Sequence, residues 1–145
     1  MDLPDYIARK EVQRVCAQLG IRDWTGLTEA DVTLEEARII QAEVGGEAVD
    51  ITTQEFQTGL QVELEHGLAF QDANVTNNHP LLTGKIVLAH LKEMLDYYTR
   101  LDVAELEGDM LKALKAGDAD KLMNKYAKLV EARARLAEAE TRSEP

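Results

Sequence analysis

Apolar residues recur along this chain at helical spacing, and capping and breaking residues cut the pattern into segments. Val12, Val15, Cys16 and Leu19 fall on one helical face. Pro4 suits a first turn and Gly20 the position just past a helix end, so a helix is predicted over about 4–19. Residues 21–32, with Trp24 and Gly26, read as a loop holding a short turn. Thr33 followed by Glu36 forms a capping box, which opens a helix over 34–44 that Gly45 and Gly46 close. Thr52 and Glu55 form a second capping box, with Ile51 and Phe56 placed as a hydrophobic staple. That helix is predicted over 53–66, with Phe56, Leu60 and Leu64 as its apolar stripe and Gly67 as its end. An Asn-rich loop follows over 68–79. Pro80 then opens a helix predicted to run unbroken through Ile86, His90, Glu93, Tyr97 and Leu101. Thr83 reads as a helix-start hydroxyl, and Gly84 as a point of close approach between helices.

The C-terminal part has a different texture. Leu106, Met110 and Leu114 make one stripe; Leu122, Tyr126, Leu129, Arg133 and Leu136 make another, spaced near 3.5 residues. Gly117 followed by Asp118 is a stop and a new N-cap, so the segment reads as an αα-hairpin that frays near Thr141. No segment keeps a strand-like alternation. The expected fold is all-α: a compact helical domain followed by a C-terminal αα-hairpin, divided as 1–32, 33–101 and 102–145.

Charge narrows the partners. The chain has 145 residues and a formal charge of −11, and no Lys or Arg stands between Arg38 and Lys85. An acidic surface repels phosphate backbones and anionic lipid, so neither nucleic acid nor a membrane surface is an expected partner. A basic protein or a metal cation fits better. No apolar run is long enough to span a bilayer, and the N-terminus lacks a signal-peptide core. The expected location is the cytoplasm or a virion. Cys16 is the only cysteine and reads as a small buried hydrophobe, so no nucleophilic Cys–His pair is expected.

One constellation could carry cation chemistry. Glu63 and His66 are three residues apart on a predicted helix, and His90 and Glu93 repeat the pair in reverse order on the next. Glu-x-x-His is the unit that di-iron and di-manganese bundles place on facing helices. If the two helices lie antiparallel, Glu63, His66, His90 and Glu93 could share iron, manganese or zinc, with Glu65, Asp72, Asp96, Tyr97 and Tyr98 completing a shell. Only one forward unit is present where a di-metal site takes two. Hydrogen bonds among these side chains and the loop backbone would equally satisfy them. Asp72, Asn74, Thr76 and Asn78 alternate like half of a calcium loop, without its Gly and terminal Glu, and can instead bond to their own backbone. Tyr97, Tyr98 and Tyr126 are placed to contact a partner.

Residues 33–101 resemble an uncharacterised family of small helical domains, a domain of unknown function found in bacteria and tailed phages. The strings that carry the resemblance are TLEEAR, EFxxGLxVELEHG, NVTNNHP and TGKIxLAHLKExxDYYTRL. The resemblance implies a helical domain whose pattern residues are Glu63, Glu65, His66, Asn74, Thr76, Gly84, Lys85, His90, Asp96 and Tyr97. It implies no activity or cofactor. Where His79 stands the family has an acidic or amide residue, which weakens a role for His79. Where Leu95 stands it has proline, which implies a straighter helix here.

The leading expectation is a non-enzymatic interaction or assembly protein without a resident cofactor, such as a head or neck component of a phage particle. It would act through a protein partner or self-association. The alternatives are a non-haem metal-binding protein and an acidic phage inhibitor of a host protein.

Overall fold

In the computed structural model, residues 6–142 are described, and they form six α-helices with no strand among them. The helices are α1 (Arg9–Leu19), α2 (Leu34–Val44), α3 (Thr53–Ala69), α4 (Pro80–Glu93), α5 (Tyr97–Ala116) and α6 (Ala119–Arg142). The all-α expectation holds. The chain divides into two compact units, 1–90 and 91–145.

In the first unit, local signals set most helix ends. Both capping boxes form: Thr33 accepts from Glu36 N–H, Thr52 accepts from Glu55 N–H, and each Glu reaches back to its cap residue. Gly20 ends α1 in the left-handed region, where a side chain would be strained. Pro4 lies outside the described residues, and α1 begins at Arg9. Trp24, Ile40, Phe56, Leu60, Leu64 and Val87 are fully buried. Helices α2 and α3 pack together, and the buried Gln41 amide ties them. It donates to Ala48 O at 2.8 Å and Ile51 O at 2.7 Å, and accepts from Thr53 Oγ1 at 2.8 Å. Gly84 confirms the close approach: a Cβ there would stand 2.8 Å from Val44 Cγ2 and 3.0 Å from Ile40 Cγ2.

Two boundaries differ from expectation. Helix α3 runs past Gly67 to Ala69. Gly67 keeps helical geometry because its bare Cα face admits the loop, whose Asn74 Nδ2 donates to Gly67 O at 3.1 Å. The long helix expected over 80–101 is broken at Met94–Asp96, so the straight helix implied by Leu95 does not form. Tyr97 N–H bonds back to Met94 O, and Asp96 adopts φ −92°, ψ 16°. The buried Asp96 carboxylate holds Arg100 through two bonds, of 3.0 and 2.7 Å, which fixes the turn without proline.

In the second unit, α5 and α6 form the expected hairpin. Gly117 turns the chain in the left-handed region, and Asp118 Oδ1 accepts from Lys121 N–H as an N-cap. The inner seam keeps Leu106, Met110 and Leu129 of the expected stripes and replaces the rest in part with small residues. It runs through Val103, Leu106, Met110 and Ala113 on α5, and through Leu129 and Ala132 on α6. Leu114, Tyr126 and Arg133 face out. Small alanines at the seam hide it from an eye that follows large apolar residues.

Candidate functional site

The end of α3, the loop after it and α4 bring part of the expected constellation together. Glu63 and His90 meet, with Glu63 Oε1 3.1 Å from His90 Nδ1. The Glu63 side chain is mostly buried and that of His90 partly so. His66 lies one turn further along α3, exposed, and joins Glu63 in lining a cleft of about 260 Å³. Phe70, Val75, Thr83 and Ile86 make other parts of its wall. Glu93 sits at the last position of α4 and is exposed, as are Glu65 and Asp72. Among the described residues, no three His, Cys, Asp or Glu side chains stand where they could share an ion. The contact supplied by the structure is thus a carboxylate–imidazole pair at the side of a cleft. Such a pair can hold a proton or one ligand group between its members. A tight divalent site usually needs more donors.

The loop satisfies itself. Asn74 Nδ2 donates to Asn78 Oδ1 at 2.7 Å, and Thr76 Oγ1 donates to Asn74 Oδ1 at 3.1 Å. The side-chain oxygens of Asn74, Thr76 and Asn78 are therefore engaged with loop partners. Asn77 and Asn78 take left-handed backbone angles, which asparagine tolerates well, and Asn77 Nδ2 reaches Ile7 O at 2.7 Å.

His79 has a role that the sequence reading passed over. Its ring is buried, and Nδ1 accepts from Leu82 N–H at 3.4 Å at the start of α4, while its carbonyl accepts from Thr83 N–H. Imidazole here does the work of a side-chain N-cap, in place of Thr83. Burial pushes its pKa down, the Glu11 carboxylate partly restores it and Arg14 opposes that. The signal was present: a residue able to accept a hydrogen bond, directly before a proline that opens a helix, stands at the N-cap position.

The remaining residues separate by exposure. Tyr98 is buried and packs edge-on against the half-buried Tyr97, with ring centroids 5.1 Å apart. Tyr126 is exposed on α6. Cys16 is buried, and burial pushes its thiol up, away from the reactive thiolate. No helix among the described residues is long and apolar enough to cross a membrane.

No curated protein and no solved structure matches this chain. A family model described as "Protein of unknown function (DUF5661)" matches residues 12–107, wider at both ends than the 33–101 of the sequence resemblance. The match takes in most of α1, the Trp24 turn and the first half of α5, so the chain belongs to the DUF5661 family.

Proposed function

We propose that this chain is a non-enzymatic helical interaction and assembly module that engages protein through its C-terminal hairpin. One observation carries the reading. Leu111, Leu114, Met123, Tyr126 and Val130 are all more than half exposed on a two-helix unit. A pair of helices buries a single seam, and large apolar residues left outside it mark a surface made for contact. The rest of the chain adds solubility: residues 1–90 are strongly acidic, while 91–145 are nearly charge-balanced. A phage particle is the setting implied by the sequence resemblance. The test is capture with the full chain as bait, beside a Leu114→Glu/Tyr126→Glu variant. Association that is lost in the variant supports the reading. Equal retention by both baits sinks it.

A second reading, divalent-cation binding, is favoured by the Glu63–His90 contact beside His66. Elemental analysis of protein purified without chelator tests it, together with melting in the presence of iron, manganese or zinc. No stoichiometric metal and no shift in Tm would remove it.

A further inference from the structure

The hairpin's exposed apolar residues lie on one side of its seam, and cross-helix ion pairs show which side. The inward positions step by three and four residues: Val103, Leu106, Met110 and Ala113 on α5, and Leu122, Lys125, Leu129 and Ala132 on α6. In an antiparallel pair, the residues that directly follow corresponding seam positions on the two helices flank the same side. Glu107 follows Leu106, Arg133 follows Ala132, and they pair at 2.7 Å. Arg100 and Glu140 repeat the arrangement nearer the base of the hairpin, at 2.8 Å. Asp102–Arg135 and Asp109–Lys125 border the opposite side, at 2.8 and 2.6 Å.

Leu114 follows Ala113 as Glu107 follows Leu106, and Tyr126 follows Lys125 as Arg133 follows Ala132. Both therefore lie on the Glu107–Arg133 side, nearer the tip. Leu111 is three residues from Leu114; Met123 and Val130 are three and four from Tyr126, so all five share that face. The charges on this face are arranged as opposite-sign pairs within the chain. The exposed Lys112, Lys115, Lys121 and Lys128 fall at other positions of the repeat.

We infer that this face pairs with the same face of a second copy, making an isologous four-helix contact. The inference rests on the assembly reading above and names its partner. Charge decides the occupant. The chain carries −11, so most surfaces of two copies repel. Around its apolar residues this face brings no net charge to its own image, because Glu107 and Arg133 cancel; Arg100, at the base, is shared between Asp96 and Glu140. A strongly basic or acidic partner would find no complementary charge here. A second copy offers the same apolar stripe at the same spacing, as a two-fold contact requires.

Light scattering coupled to size exclusion, run on the full chain over a concentration series, tests this. The expected result is a dimer. Leu114→Glu/Tyr126→Glu should weaken its Kd by about a hundredfold, because each copy then presents like charges to the other in an apolar contact. Both positions are exposed, so the circular dichroism of the variant should match the parent. Lys128→Glu, away from the face, should leave the dimer intact. A parent chain that stays monomeric throughout overturns the inference, as does a dimer that survives the double substitution. If a monomeric parent still captures another protein through this face, self-pairing fails while the assembly reading stands. If nothing associates through the face, both fail.

Discussion

His79 caps α4 with a ring nitrogen: Nδ1 accepts from Leu82 N–H at 3.4 Å, and the ring is buried. Only a neutral imidazole can accept that bond. Burial lowers the folded-state pKa below the ordinary value of about 6.5. The folded protein therefore resists the proton more than the unfolded chain does. Stability from this group is fully present above about pH 6.5. It falls as pH drops from there through the lowered folded value. The groups that face the ring across α1 are Glu11, which favours protonation, and Arg14, which opposes it. His79→Asn should keep a cap and flatten the dependence of Tm on pH below about 6.5. His79→Ala should flatten it too, and cost about 1 kcal/mol at neutral pH. An unchanged pH slope in both variants would remove His79 as its source.

Arg22 and Glu36 hold the turn before α2 to the helix. The guanidinium donates to both Glu36 oxygens, at 2.9 and 2.6 Å, and to Asp31 O at 2.5 Å. Burial pushes the Glu36 pKa up, but bonds from Arg22 and the Thr33 N–H outweigh it, and the value falls to about 2. With the folded pKa depressed, this group stabilises above the ordinary carboxylate value. That stability is lost as pH falls from about 4.3 through about 2. Arg22→Ala leaves a buried carboxylate without its cation. The expected cost is about 2–4 kcal/mol by urea denaturation at pH 7, below the full buried-pair penalty because Arg22 is partly exposed. Glu36→Gln should cost less, since its amide can still bond to Thr33. A loss under about 0.5 kcal/mol for Arg22→Ala would mark the pair as an ordinary surface contact.

Much of the fold could be read from the sequence because its signals are local. Thr33, Thr52, Gly20, Gly117 and Asp118 act within one turn of where they stand. What stayed hidden depends on tertiary contact. Gly67 looked like a helix end, but the loop asparagines pack on it and the helix continues. The break at Met94–Asp96 is held by a buried carboxylate whose burial no local pattern announces. Glu63 and His90 were picked out by type and spacing, and the structure brings them together. The larger shell was a matter of composition, since an acid-rich segment offers many carboxylates whether or not they converge.

The hairpin seam gives a sharp contrast. Leu129 is buried against Leu106 and Ala132, whereas Arg133 is exposed and pairs with Glu107. Leu129→Ala should cost about 2–5 kcal/mol. Arg133→Ala should cost under about 1 kcal/mol. Guanidinium melts of both variants at one low protein concentration check this. Equal costs would return Arg133 to the seam, where its spacing alone places it.

Two glycines in helix interiors should respond to alanine with opposite signs. At either, Ala gains about 1 kcal/mol of helix propensity. Gly108 in α5 has nothing within 4 Å of the place its Cβ would occupy, so Gly108→Ala should raise stability by about that amount. Gly84 in α4 has Val44 Cγ2 at 2.8 Å, Ile40 Cγ2 at 3.0 Å and Phe56 Cζ at 3.3 Å from that place. These are branched or aromatic groups in a packed core, and they yield little. Overpacking of this kind costs about 1–3 kcal/mol or more, which exceeds the propensity gain. Gly84→Ala should therefore lower Tm while Gly108→Ala raises it, in the same buffer and scan. If both rise, α4 can slide from α2 and α3 at little cost, and the tight crossing at Gly84 is not what holds it in place.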